Sequence, residues 1–271
     1  MKLPLIATAS AVLAGLLCAT APAPASAATS AGASETHAVY PIKSRQLTHH
    51  KLYTTGALAP VDCPEPPLEN RNARLAREYV QKIYNCLGRS WGAHFKEAGM
   101  RFSRPSLGFI SKAKRFCGDS WGEAAGIYCN KSRKFVVLLD KKTLKNIDDL
   151  FLMDVVAHEY GHHLQNISGI RAAFDDEPYR NKKELNEQYR RYELQAECLS
   201  GVFIGSVWDS LDRTDEDWQL LLDIVAASGD EHSKIRDHGK GRIQKYWLSR
   251  GFEAAAPSAC NTFAAPSSKV A

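Results

Sequence analysis

The sequence predicts an α+β fold, mainly helical with one small sheet, on three grounds. Apolar residues recur at helical spacing, beginning with Leu75, Tyr79, Val80, Ile83 and Leu87. KFVVLLD, Lys134 to Asp140, is a short β-branched and apolar stretch that suits a strand. The chain has 271 residues and is 44% hydrophobic, enough for one sizeable core or two small ones. No internal repeat is present, so one mainly helical domain over residues 67–271 is the economical reading.

The first segment stands outside that domain. MKLPLIATASAVLAGLLCATAPAPASAATS opens with a lone Lys2, continues as an apolar run from Leu3 to Leu17, and then turns to small residues and prolines. Ala25-Ser26-Ala27 fits an A-x-A cleavage site, so residues 1–27 read as a signal peptide and the mature chain as secreted. The run is short and broken by Thr8 and Ser10, which argues against stable membrane insertion. Leu17 precedes Cys18 where a lipoprotein signal wants a small residue. Residues 28–66 are rich in Ala, Ser, Thr and Pro without a sustained period, and read as a low-complexity linker or pro-region. Within them, His49 and His50 read as a solvated tail, with metal binding as the weaker alternative. Cys63 reads as a disulfide partner, with a thiolate cap on a latent metal site as the weaker alternative.

From Asn72 the first long helix is expected to run until Gly88 ends it. Asp148 and Asp149 suit the first turn of the next, which extends from Leu150 to Gly169. Further helices are expected around 184–208, 215–227 and 240–250. The strand at 134–140 precedes the second long helix, and an exposed edge on it would pair with an extended substrate backbone. Removal of Cys18 leaves Cys63, Cys86, Cys117, Cys129, Cys198 and Cys260, an even set that suggests pairing in an exported protein. Sequence does not fix the connectivity; the expected pairs are Cys117–Cys129, Cys198–Cys260 and Cys63–Cys86. The net charge of +5 is modest and scattered. It serves solubility in the plainer reading and contact with anionic cell-wall polymers in the other; nucleic acid is not indicated.

VVAHEYGHHLQN, Val155 to Asn166, carries the chemistry. His158 and His162 are i and i+4 on a helix, so both imidazoles can reach one cation about 2 Å from their nitrogens. Glu159 adjoins the first ligand but sits off the ligand line, placed to meet a water at the metal and act as general base. This is H-E-x-x-H, which chance yields in about one chain in a hundred at ordinary residue frequencies. His163 lies about 140° around the helix from His158 and is assigned to packing or an outer hydrogen bond.

A catalytic zinc wants three protein ligands and one open position. The extension with a third histidine fails, because Gln165 stands at its glycine position and Ser168 at its histidine position. RRYELQAECLSG supplies the missing ligand: Glu193 and Glu197 are again i and i+4. Glu193 is assigned as the ligand and Glu197 as the outer carboxylate that accepts a ligating histidine's free N–H. His238 is the candidate donor to the tetrahedral oxyanion, with a helix-capping role as the equal alternative; Tyr160 and His232 are weaker candidates. One catalytic Zn2+ and a peptide or protein substrate follow. The competing reading is a catalytically inactive peptidase-like binding protein with a structural zinc, which a fourth protein ligand would favour.

At this point the sequence resembles a bacterial family, the putative neutral zinc metallopeptidases. HEYGHHLQN, ELQAEC and the tail HGKGRIQKYWLSRGF with CNTF carry the resemblance, and CGDSWGEAAGIYCNKSRKFVVLLD looks like the family's cysteine-bounded segment leading into a strand. It covers about Cys117 to Phe263. It implies a zinc hydrolase of the glutamate-ligand kind, with His158, His162 and Glu193 at the matching ligand positions. Two departures stand out: Glu197 where the family usually has aspartate, and Lys240-Gly241 where small polar residues are more usual.

Overall fold

The computed structural model describes residues 39–271 apart from residue 146, residues 233–235 and the side chain of His232. The expected signal peptide and residues 28–38 lie outside this range. Seven α-helices are described: α1 (Arg45–Thr48), α2 (Ala73–Glu97), α3 (Asp149–Ser168), α4 (Ile170–Asp175), α5 (Lys182–Val207), α6 (Asp215–Ala227) and α7 (Gly241–Ala254). Strands β1 (Ser106–Ile110), β2 (Gly126–Cys129) and β3 (Lys134–Leu138) complete the expected mainly helical α+β fold. No described helix is long and apolar enough to cross a membrane.

Helix α2 runs nine residues past the stop expected at Gly88. Gly88 and Gly92 face the returning chain, where a Cβ would meet Arg104 and Phe102 respectively. Here glycine makes room for a neighbour, and packing overrides its weak helix propensity.

The sheet order is β1-β3-β2, with β1 parallel and β2 antiparallel to β3. Strand β3 is therefore central and paired on both sides, which overturns the reading of it as a substrate-pairing edge. The two true edges, SLGFI and GIYC, are too short to show a period of their own. Phe135 and Val137 point into the main helical core, while Val136 and Leu138 pack with Trp121 on the opposite face. The β1–β2 loop that carries Trp121 is held down by Cys117–Cys129. Cys63–Cys86 and Cys198–Cys260 form as well, so the structure contains all three expected disulfides.

Residues 39–66 do not hang free as the linker reading supposed. Leu47, Leu52 and Cys63 are fully buried in the main core, and each large apolar side chain so buried stabilises by about 1.5–3 kcal/mol. The guanidinium of Arg213 holds Glu65 at 2.7 and 2.9 Å. His50 is not solvated either: Nδ1 accepts from the Leu52 N–H at 3.1 Å, and Nε2 lies 3.1 Å from the Ser168 carbonyl oxygen. The disulfide at Cys63 removes the thiolate that a latent metal cap requires.

Helices α5 and α7 interlock at close range. A Cβ on Gly201 would lie 2.1 Å from the Leu248 carbonyl oxygen, and one on Gly251 2.0 Å from that of Cys198. This contact fixes α5, the helix that bears Glu193 and Glu197, against the C-terminal part of the chain.

Candidate metal centre

Helix α3 begins where Asp148 Oδ1 accepts the Phe151 N–H at 2.8 Å and ends at Gly169 in the left-handed region, φ 89°. Between these caps His158 and His162 project one turn apart toward α5, as their spacing requires. The helices cross at Gly161 and Ala196, where a Cβ on Gly161 would lie 3.0 Å from the Ala196 carbonyl oxygen. Glu193 and Glu197 flank Ala196, so the crossing itself delivers both carboxylates to the histidines.

Nε2 of His162 lies 3.0 Å and Nε2 of His158 3.5 Å from Glu193 Oε2. That buried oxygen nevertheless accepts no well-directed hydrogen bond. Three electron-pair donors thus converge on a common point rather than on each other. Donors around a tetrahedral ion with bonds near 2 Å stand about 3.3 Å apart, so the donor chemistry and both separations from Glu193 fit zinc. These three form one candidate metal group among the described residues; His238 falls in a different one, with Asp230 and Asp237.

The outer atoms of both rings are tied down. His158 Nδ1 donates to Glu197 Oε2 at 2.9 Å and His162 Nδ1 to Gln165 Oε1 at 2.8 Å. Gln165 is locked in turn, its Nε2 donating to the Tyr192 carbonyl at 2.8 Å and to Gln195 Oε1 at 3.0 Å. Each Nδ1–H bond leaves the Nε2 lone pair for a cation and raises its basicity. Burial works against a charged His158, but Glu193 and Glu197 outweigh it and hold its pKa well above the ordinary imidazole value. Glu193 is partly buried, which works against its charge, yet His162, His238 and His158 hold its carboxyl well below the usual range. Sequence reading had placed Glu197 in this outer position; it missed Gln165, which it met only as a mismatch to a longer motif.

Glu159 is buried, and burial raises its carboxyl above the ordinary value against the pull of His162 and His158. It faces β2. In the antiparallel register Gly126 pairs with Val137 and Tyr128 with Phe135, so both point to the α3 side of the sheet. Glu159 lies against Gly126, and one turn further along α3 His163 Nδ1 accepts from the Tyr128 hydroxyl at 3.0 Å. His163 Nε2 donates to the Ser103 carbonyl at 2.7 Å. Buried on both sides, its pKa falls to about 4. It is an outer hydrogen-bonding residue that fastens β2 to α3, as its position on the helix had suggested.

His238 reaches the same centre from the loop before α7. Its Nε2 lies 3.5 Å from Glu193 Oε2, its ring stacks 6.5 Å from that of His158, and its side chain is 52% exposed. Nδ1 bonds Asp237 Oδ1 at 2.7 Å. Partial desolvation beside the centre lowers its pKa, but Glu193 and Asp237 prevail and raise it to about 9. The loop is held by buried Asp230, which accepts the N–H groups of His238 at 3.3 Å and Gly239 at 2.6 Å. Tyr160 is fully buried in the main core, and the His232 side chain lies outside the described residues.

The family model described as "Putative neutral zinc metallopeptidase" matches residues 65–263, most of the chain. The chain belongs to this zinc metallopeptidase family. Its relatives include the Escherichia coli K12 protein named "Uncharacterized protein YpfJ", 28% identical over 71% of this chain and 73% of that one. Another is "Uncharacterized protein Rv2575" of Mycobacterium tuberculosis H37Rv, 26% identical over 72% of this chain and 74% of that one. No solved structure matches significantly. The names of these relatives assign no activity, so the residue roles rest on the geometry above.

Proposed function

We propose that this family member is an exported zinc-dependent endopeptidase. The observation that carries the reading is the convergence of His158 Nε2, His162 Nε2 and Glu193 Oε2 beside a buried carboxylate, Glu159, that is not among the three donors. His158, His162 and Glu193 would hold the ion. Zinc, when bound, supplies a Lewis acid that polarises the peptide carbonyl and makes water acidic near neutral pH. Glu159 takes the proton as water attacks the carbonyl carbon, and returns it to the amine nitrogen as the C–N bond breaks. His238, protonated at Nε2, donates to the oxyanion.

An extended substrate has main-chain partners at hand. The Leu138 N–H bonds the Ala125 carbonyl at 2.8 Å, so by antiparallel alternation Gly126 and Tyr128 turn their N–H and C=O groups away from β3. That outer edge of β2, beside Glu159, replaces β3 as the proposed docking strand. Three disulfides support export, and the scattered positive charge supports contact with anionic wall polymers.

The deciding experiment is zinc analysis of purified protein with peptide cleavage measured before chelation, after it and after zinc is restored. Cleavage that follows zinc content supports the peptidase; one equivalent of zinc without cleavage supports the inactive binding protein.

A further inference from the structure

We infer that Gly126 is a positioning residue for Glu159: the missing side chain on β2 is the seat of the catalytic carboxylate. The inference rests on the peptidase reading and adds to it a residue outside both sequence motifs.

A Cβ on Gly126 would lie 2.9 Å from Glu159 Cγ, 3.1 Å from Oε1 and 3.2 Å from Val155 Cγ1. The first contact is closer than packed carbons tolerate. The atom it strikes is the second carbon of the side chain, close to the helix, so rotation at the tip gives no relief. Glu159 and Val155 lie one turn apart on α3 and together close the space under Gly126. The strand cannot lift away, because Tyr128 is bonded to His163 at 3.0 Å and to Asn166 Nδ2 at 2.8 Å. Cys129 is also bound to Cys117. Strand and helix steps match here: two residues of β2 advance about 6.7 Å and four of α3 about 6 Å. The Tyr128–His163 pair thereby sets the register that puts Gly126 over Glu159. Glycine is otherwise a poor strand residue, since it adds conformational entropy and packs nothing. The close approach of the carboxylate accounts for it.

The test compares wild type, Gly126→Ala, Glu159→Ala and the double variant, all loaded with zinc. Gly126→Ala is expected to keep one zinc while kcat falls about 100-fold, the cost of displacing a catalytic group by about 1 Å. Melting temperatures supply a readout free of activity. Gly126→Ala is expected to lower the melting temperature of wild type by more than that of Glu159→Ala, where only the 3.2 Å contact with Val155 Cγ1 remains. A Gly126→Ala enzyme with wild-type kcat, or the same melting shift in both backgrounds, overturns the inference and leaves the peptidase reading intact. A zinc-loaded wild type that cleaves no peptide overturns both.

Discussion

Gly161 of α3 and Ala196 of α5 meet backbone to backbone, with 3.0 Å left between a would-be Cβ and the Ala196 carbonyl oxygen. That contact sets how far Glu193 stands from the two imidazoles. Gly161→Ala must push the helices apart by a few tenths of an ångström, because the opposing atom is backbone. Overpacking costs about 1–3 kcal/mol, while alanine regains about 1 kcal/mol of helix propensity. Stability should therefore fall by no more than about 2 kcal/mol. Zinc affinity should fall about tenfold, about 1.4 kcal/mol of ligation. Competition with a chromophoric chelator measures it, and unchanged affinity would show that the crossing distance does not tune the site.

Gln165 makes a second, separate prediction. It accepts from His162 Nδ1 and donates to Tyr192 and Gln195 within the core. Gln165→Leu keeps the volume and removes every bond. Loss of such an outer partner typically costs 10- to 100-fold in metal affinity or activity. The stranded Gln195 and Tyr192 acceptors add about 1–3 kcal/mol of instability. Isothermal titration with zinc and urea unfolding read the two effects independently; a variant with wild-type zinc binding would show that His162 needs no outer partner.

The ligands can be told apart by the same measurement. Glu193→Ala removes one of the three converging donors, the oxygen 3.0 and 3.5 Å from the two Nε2 atoms, and should abolish stoichiometric zinc binding. Glu197→Ala removes only the acceptor of His158 Nδ1, so zinc should bind about 10- to 100-fold more weakly. Full zinc occupancy in Glu193→Ala, with loss in Glu197→Ala, would exchange the two roles.

What could be read from the sequence was whatever lay within one helix. His158, Glu159 and His162 declare themselves by spacing on α3, as Glu193 and Glu197 do on α5. Gly161 gave no signal, because its meaning is a contact with another helix; Gln165 bonds His162 within α3, but it is α5 that locks its amide in place. Gly126 was hidden for a further reason: β2 has four residues, too few for a period, and the strand announces itself only when paired with β3. The same shortness concealed that β3 is central. Composition misjudged residues 45–63, where three buried leucines among polar neighbours are enough to anchor the segment to the core. Gly88 misled in the other direction, since its role as a gap for Arg104 depends on chain not yet folded back.

The two catalytic assignments predict losses in turnover without loss of metal. Glu159→Gln keeps shape and removes the base, so zinc content should stay at one equivalent and cleavage should become undetectable. His238→Ala should lower kcat by about 100- to 1,000-fold, the usual cost of one oxyanion donor, with KM and zinc little changed. Steady-state kinetics on a fluorogenic peptide check both. A His238→Ala variant at wild-type rate would assign the residue to holding the loop before α7.

Acid should loosen the N-terminal segment before the rest of the domain. His50 bonds the Ser168 carbonyl and His94 Nε2 meets Thr55 Oγ1 at 2.7 Å, so two imidazoles fasten residues 50–55 to the body. Burial lowers both pKa values below the ordinary 6.5, against smaller raising contributions from the Ser168 carbonyl at His50 and Glu97 at His94. Below pH 6.5 the unfolded chain therefore binds more protons than the folded one, and stability falls as pH falls. The contribution is complete above 6.5 and is lost as pH drops through the lowered folded values. Urea midpoints should be higher at pH 7.5 than at pH 5, and the amide protection factors of residues 50–55, each taken against the intrinsic exchange rate at the same pH, should fall selectively at the lower pH. His50→Gln with His94→Gln should shrink the difference between the two pH values. If the double variant keeps the full wild-type difference, other groups carry the acid sensitivity.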